Sequence, residues 1–423
     1  MSVPRLTPPL DQGAHVVVIG AGAVGACSAA YLQRQGLRVT IVDRLPPGEA
    51  TSFGNAGSLS PSSVVPIAVP GMLKKVPGWL LRSDGPLTIR LSYLPTILPW
   101  LVRYVRAGTA AQVEASAQAL AMLHGPGLES HEDLAAAAGA PELVRRTDYL
   151  HVFGSDASFR GSLGDWTLRR RHGAVVDLLD AGGVHEVEPD LSPHYVRGAL
   201  VRDQGFTLDP SRLVKAYVSM VVRDGGAFVQ EEVRAIETDA GRAVAVRTAD
   251  GRIEADAVVV AGGAWSRALI EPLGVHVPLD TERGYHATIP SPGIALTHTI
   301  MEADFKFMAT PMAMGVRFAG MVELAGLEAE PDPRRAAIIQ RLARRMFPKL
   351  QLDDASEWMG FRPSLPDGLP VIGPVPDYPN VLLAFGHAHT GMIGSPMTGR
   401  IVAGLASGRM PNVDIRAFRP DRF

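Results

Sequence analysis

One segment near the start of the chain limits the possible folds more than any other. His15-Val-Val-Val-Ile19 is a short β-branched run of the kind buried in parallel sheets, and Gly20, Gly22 and Gly25 follow it at once. Residues Ala26 to Gln35 have helix composition and stop at Gly36, and a second β-branched run, Arg38 to Val42, ends on Asp43. Read as one apolar stretch, Ala14 to Leu32 is about long enough for a membrane span. A spanning helix, however, needs neither glycines at this spacing nor an acidic stop at this distance. Strand, Gly-x-Gly-x-x-Gly, helix and strand, with an acidic residue 18 positions after Gly25, form the dinucleotide fingerprint. Gly20 permits the tight turn, Gly22 lets backbone approach a pyrophosphate, and Gly25 lets the helix lie close on the strand. Ala21 and Val24 sit between them at a helix N-terminus, where free N–H groups and the helix dipole favour phosphate. Asp43 can accept from ribose hydroxyls, and its charge argues against a 2′-phosphate. A dinucleotide site is the expectation.

Composition removes the competing classes. With 46% hydrophobic and 20% charged positions, the 423 residues are too apolar for a disordered chain and long enough for two or three units. A net charge of −2 offers no basic field for nucleic acid. A single cysteine, Cys27, excludes an internal disulfide or multi-cysteine metal cluster and points to a reducing, cytoplasmic setting. Met1 to Gly13 has no apolar targeting core and no twin arginine.

Further along, Gly226 to Glu237, Ala243 to Thr248 and Ile253 to Val260 read as three strands, with Asp250-Gly251 as a hairpin turn. The last of them runs into Gly262-Gly263-Ala-Trp265. Val381 to Phe385 runs into Gly386-His-Ala-His-Thr-Gly391, with a helix expected from about Gly394-Ser395-Pro396. Three strand ends meeting one ligand suit an extended FAD better than NAD. Helices are expected over Ala110 to Ala138, broken at Gly125-Pro-Gly127, and over Pro210 to Val222 with Asp209 as N-cap. Arg334 to Phe347 reads as a basic amphipathic helix with a solvated face.

Gly20 to Gly25, Thr51-Ser-Phe-Gly-Asn-Ala-Gly57 and Val259 to Ser266 resemble the FAD-dependent D-amino-acid oxidase superfamily. Arg283-Gly-Tyr-His286, Gly360-Phe-Arg-Pro-Ser-Leu-Pro-Asp367 and Gly386 to Gly391 resemble the D-amino-acid dehydrogenase branch of that glycine/sarcosine-oxidase-like superfamily. The resemblance implies a mixed α/β (α+β) fold: a Rossmann-like FAD-binding domain with an inserted antiparallel-sheet substrate domain. The expected boundaries are 14–62, 206–278 and 356–410 for the first and 63–205 and 279–355 for the second. It further implies that Asp43 and Arg44 flank the adenosine, that Ser52, Asn55, Ala56 and Gly57 line pyrophosphate and flavin, and that Val233 meets the adenine. Gly262, Gly263, Trp265, Gly386 and Thr390 would complete the cofactor site, with Gly391, Met392 and Ile393 turning N–H groups toward the flavin N1 edge. Gly54 stands near the position where some members carry a flavin-linked His, and Cys27 lies on the fingerprint helix, so the FAD is expected to be non-covalent.

The resemblance also places Arg362 over the flavin, where its planar fork suits the carboxylate of an amino acid; the plainer reading pairs it with Asp367 or Glu357 on a turn. Tyr285, His286 and His389 are the further substrate-side candidates. His387 and His389, at i and i+2, cannot both face the flavin, and no metal site is expected. Hydride transfer from Cα needs geometry more than acid–base groups, so no general base is assigned. The expected activity is dehydrogenation of a D-amino acid or cyclic imino acid, giving an imino acid and then a 2-oxo acid. A 2-hydroxy-acid dehydrogenase, or a flavin-holding subunit of a larger complex, are the other readings. Between residues 64 and 106, Lys74, Lys75, Arg82, Arg90, Arg103 and Arg106 face a lone Asp84, among Trp79, Leu80, Leu81, Leu98 and Trp100. Prolines forbid one continuous helix there. The segment reads as a lid packed on the substrate domain, or as a peripheral membrane contact through which a quinone could take electrons.

Overall fold

A computed structural model describes residues 9–71, 76, 78, 82, 84–409 and 413–423. Its first sheet has the strand order Val371–Val375, Tyr378–Phe385, Ala257–Val260, His15–Ile19, Arg38–Asp43 and Ala227–Gln230. All neighbours are parallel except the first pair. Val16, Val17 and Val18 are fully buried, which is why this strand reads as an unbroken apolar run. One face packs against helices Ala23–Gln33, Pro210–Arg223 and Gly391–Ala406. The other is covered by a three-stranded sheet, Val233–Asp239, Arg242–Thr248 and Arg252–Glu254, through Ala243 and Val246. A Cβ on Gly399 would lie 2.7 Å from the Cys27 carbonyl, so helices Ala23–Gln33 and Gly391–Ala406 touch backbone to backbone.

The second sheet runs Ser356–Ser364, Asp280–Ile289, Gly315–Leu324, Phe307–Met312, Thr299–Glu302, Val144–Phe153, Arg197–Thr207 and Ser58–Leu59, with two short strands joined at its side. It is mostly antiparallel. Helix Pro333–Met346 buries Ile339, Leu342 and Met346 on one face of it and carries Arg334, Arg341, Arg344 and Arg345 outward, as its sequence period requires. The fold is the mixed α/β architecture expected.

Several local expectations need correction. The run from Gly226 to Glu237 is two strands, one in each layer, parted at Glu231-Glu232. Ile253 to Val260 likewise divides at Ala255-Asp256, where Asp256 accepts the His15 amide at 2.7 Å and turns the chain into the parallel sheet. The last helix begins at Gly391, a turn earlier than expected, and contains Pro396. Proline removes the amide that would bond to the Met392 carbonyl; His131 Nε2 and Ser395 Oγ, each at 2.7 Å, take its place. Pro95 and Pro99 both lie within helix Leu94–Ala107, Pro95 harmlessly in its first turn. Ser58–Leu59 and Ser356–Ser364, inside the segments 14–62 and 356–410, pair in the second sheet. Helices Ala110–His124 and Gly127–Ala137 pack against Gly391–Ala406 in the core of the first. The two units interlace.

Candidate active site

Five strand ends of the parallel sheet open on one groove of about 840 Å³, whose lining includes Gly20, Gly22, Val24, Asp43, Arg44 and Ser52. Val233, Gly262, Gly263 and Trp265 continue it, and Gly386, Gly391 and Met392 close its far end. The floor is backbone. Gly20 has φ +111°, and a Cβ there would stand 2.4 Å from the Ala261 carbonyl oxygen, so no other residue fits without strain. Ser52 Oγ accepts the Ala23 amide at 3.1 Å, fixing the loop over the helix N-terminus. The Arg44 guanidinium lies 4.3 Å from the centre of the Trp265 ring, forming a flat side wall.

Three of the expected cofactor residues shape this groove without lining it. A Cβ on Gly25 would fall 1.8 Å from the Gly20 carbonyl, so Gly25 serves helix–strand contact. The Ala21 amide is already given to Asp43 Oδ2 at 2.7 Å, and Gly57, at φ +76°, donates to Asn55 Oδ1 at 2.8 Å.

Thr51, Asn55 and Ala388 are shared with a second cavity of about 540 Å³, where Ala56, His389, Thr390, Ile393 and Arg362 also lie. Its floor is the second sheet. Across the pair Asp280–Ile289 and Ser356–Ser364, Glu282 stands opposite Arg362, Gly284 opposite Gly360, and His286 opposite Trp358. A Cβ on Gly284 would meet Arg362 Nη2 at 2.1 Å, and one on Gly360 would meet the Trp358 ring at 1.8 Å. The two glycines thus clear a step on which the guanidinium and the indole lie flat. Arg362 donates through Nη1 to the Met321 carbonyl at 2.8 Å and through Nη2 to the Gly320 carbonyl at 3.4 Å. Its turn-pairing alternative fails: Asp367 is bonded to Arg422 at 2.7 Å, and Glu357 to Gln340 at 2.6 Å.

The other substrate-side candidates divide. His389 opens onto the cavity; enclosure and then the Arg362 charge push its pKa down to about 4. Tyr285 borders the cavity, but side chains alternate along a strand and its hydroxyl turns to the far face. There it donates to Glu323 at 2.5 Å and accepts the Asp332 amide at 3.0 Å. His286 does not line the cavity; its ring stacks on Trp358 at 5.2 Å and its Nδ1 lies 3.2 Å from the Gly54 carbonyl. His387 Nε2 is bound to Thr398 Oγ1 at 2.8 Å. Glu282 is a residue the sequence reading missed: burial raises its pKa, and the Arg362 charge opposes the rise. Its signal was the two-residue period linking it to Gly284, invisible until the facing strand is known.

Around the start of helix Gly391–Ala406 sit three buried histidines, His124, His131 and His387, and the more open His389. The pKa is pushed down to about 4 in His124, His131 and His389 and to about 3 in His387. The positive end of the helix is therefore left for a bound anion. Cys27 is buried, outside both cavities, with its thiol pushed up to about 12 by burial. Helix Leu94–Ala107 forms a wall of the second cavity through Trp100, Leu101 and Tyr104. Its outer face leaves Leu98, Val102 and Val105 exposed beside Arg103 and Arg106. Lys74, Lys75, Trp79, Leu80 and Leu81 lie outside the described residues. Among the described residues no helix is long and apolar enough to cross a membrane.

The family described as FAD dependent oxidoreductase (DAO) matches residues 15–405. A D-amino-acid oxidase of Bradyrhizobium diazoefficiens is 44% identical over 421 residues, covering 98% of this chain and 100% of the relative. A D-amino acid dehydrogenase of the same organism is 33% identical, covering 96% and 98%. The crystal structure of glycine oxidase from Geobacillus kaustophilus superposes with a TM-score of 0.72 at 21% identity, covering 97% of this chain and 99% of that one.

Proposed function

The chain belongs to the DAO family of FAD-dependent oxidoreductases, and from that premise we propose that it oxidises the Cα–N bond of a D-amino acid or cyclic imino acid. The carrying observation is Arg362: a guanidinium steadied by two carbonyls, laid flat on Gly284, and facing a cavity that shares walls with the dinucleotide groove. The groove fits the cofactor through its backbone floor at Gly20 and Gly22; Asp43 would take the ribose end and Val233 the adenine. Ser52, Asn55, Ala56 and Gly262 would follow the pyrophosphate and flavin, and Cys27, sealed away from both cavities, is out of reach of a flavin bond. When bound, FAD supplies the two-electron acceptor for hydride leaving the substrate Cα.

The protein's own part is to bind and orient. Arg362 fixes the substrate carboxylate through its remaining N–H groups. Thr390 and Ile393, at the helix start, would border the flavin on its substrate side, and Trp358 with the apolar wall excludes water. Glu282, opposite Arg362 and raised in pKa, is placed to take a proton from the substrate ammonium and leave the amine neutral. The imino acid then hydrolyses in water to a 2-oxo acid and ammonia.

Anaerobic bleaching of the flavin by a panel of D-amino acids, L-amino acids, prolines and 2-hydroxy acids tests the reading; bleaching confined to hydroxy acids would overturn it. Arg362→Ala should lower kcat/KM by roughly a hundredfold or more, chiefly through KM. Dehydrogenation with a non-oxygen acceptor is the proposed mode, and the 44% identical D-amino-acid oxidase favours the second mode, oxygen as acceptor. Recolouring of the reduced protein in air decides between them. The exposed row Leu94, Leu98, Val102 and Val105 beside Arg103 and Arg106 supports peripheral contact with an anionic lipid surface, where a quinone could be reached. Flotation with anionic but not neutral liposomes at low salt is the expected result; absence of flotation removes that contact.

A further inference from the structure

A second guanidinium faces the substrate cavity from a helix packed on the far strands of the same sheet. Arg169, on helix Leu163–Arg171, is a lining residue together with Arg362. It is enclosed; Nη1 donates to the Ser62 carbonyl, and the Trp166 ring lies 5.5 Å from its guanidinium carbon. Its Nε has no partner, and no ion pair among the described residues includes it. The fields of Arg169 and Arg362 both act on His389, which lies on the same wall, so the two cations face a common space. The only described carboxylate on that wall is Glu282, which stands opposite Arg362. An enclosed guanidinium without a carboxylate is costly unless something anionic completes it. His151, beside it, cannot help in either direction, since burial keeps it neutral.

Resting on the amino-acid reading above, we propose that the substrate carries a second acid group: Arg362 holds the carboxylate next to the reacting carbon and Arg169 holds a carboxylate on the side chain. Met301, Met308 and Trp358 line the apolar stretch on which the connecting methylenes lie. The substrate class is thus the acidic D-amino acids or imino dicarboxylates.

The test compares D-glutamate with D-glutamine and D-aspartate with D-asparagine, pairs that differ in charge and scarcely in shape. The holoenzyme should favour the acids by roughly ten- to hundredfold in kcat/KM, mostly through KM. Arg169→Met should bring that ratio close to one, and Arg169→Lys should keep part of it. Glutarate should perturb the bound flavin absorbance at lower concentration than butyrate in the unaltered protein, and should lose that advantage in Arg169→Met. Equal rates on acids and amides, or a preference that survives Arg169→Met, overturns the second anchor. Should Arg169→Met not fold, the acid–amide ratio and the glutarate–butyrate titration of the unaltered protein decide the matter. Reduction by neutral D-amino acids without acid preference defeats only this inference, whereas no reduction by any amino acid defeats the reading beneath it.

Discussion

The dinucleotide groove and the substrate cavity share three residues and are built by opposite means. The groove is made of backbone: glycines after parallel strands, one of them at φ +111°. The cavity is made of side chains that eight strands of the second sheet and helices Leu94–Ala107, Leu163–Arg171 and Gly391–Ala406 bring together from residues 51 to 393. A backbone site tolerates one residue type at each critical turn. A side-chain site depends instead on which strands are neighbours. The first kind resists substitution and serves a constant ligand; the second can be rebuilt strand by strand.

Four measurements can break or sharpen that contrast. The largest effect belongs to Gly20→Ala, which forces a Cβ to 2.4 Å from the Ala261 oxygen at a positive φ. A loss of roughly 2–4 kcal/mol in stability, with purification of colourless protein, is expected from thermal unfolding and flavin absorbance. Gly284→Ala should behave differently. Its Cβ meets only the far end of the Arg362 side chain, at 2.1 Å, and no backbone, so the protein should fold and stay yellow. Its kcat/KM should nevertheless fall by roughly ten- to hundredfold as the guanidinium is displaced. Loss of flavin in this variant would show that the two sites are not separable.

Acid should loosen the junction between them. His124 and His131 have folded pKa values near 4, against 6.5 for the free side chain. Below pH 6.5 the unfolded chain therefore binds protons that the folded one refuses, and stability falls as pH drops from 6.5 towards 4. The slope is about 1.4 kcal/mol per histidine for each unit of that window. A melting temperature that stays level between pH 6.5 and 4.5 would contradict this. The smallest effect is expected of Arg44→Gln: the exposed guanidinium over Trp265 should be worth about 0.5–1 kcal/mol, a two- to fivefold loss of FAD affinity by titration of apoprotein.

Legibility in the sequence follows the same division. The fingerprint strand and helix, the Asp209 cap and the glycines at 262, 263 and 386 could be read locally, because a turn or an N-terminus is decided by a few adjacent residues. Arg362 was reachable through its motif. Glu282 and Arg169 were not, since each acquires its meaning from a residue tens to hundreds of positions away, and no local period marks that. His286 was misread, and Tyr285 only half read, for a related reason. They belong to the right block, but strand alternation sends the Tyr285 hydroxyl to the Glu323 side, and stacking on Trp358 holds His286 off the cavity. Pro396 misled about the start of its helix because the His131 contact that rescues it comes from elsewhere in the chain.

The facing pair Gly284 and Gly360 also bears on how an enzyme of this kind could be retrained. Any larger residue at either position strikes the arginine or the indole, so the floor is frozen for a breeder of variants. Novelty has to come from the roof, where Ile67, Leu87, Trp100, Leu101 and Tyr104 hang over the same space from a loop, a short edge strand and one helix. Libraries confined to those five positions would change which side chains are admitted while the anchoring fork and the cofactor cradle stay as they were.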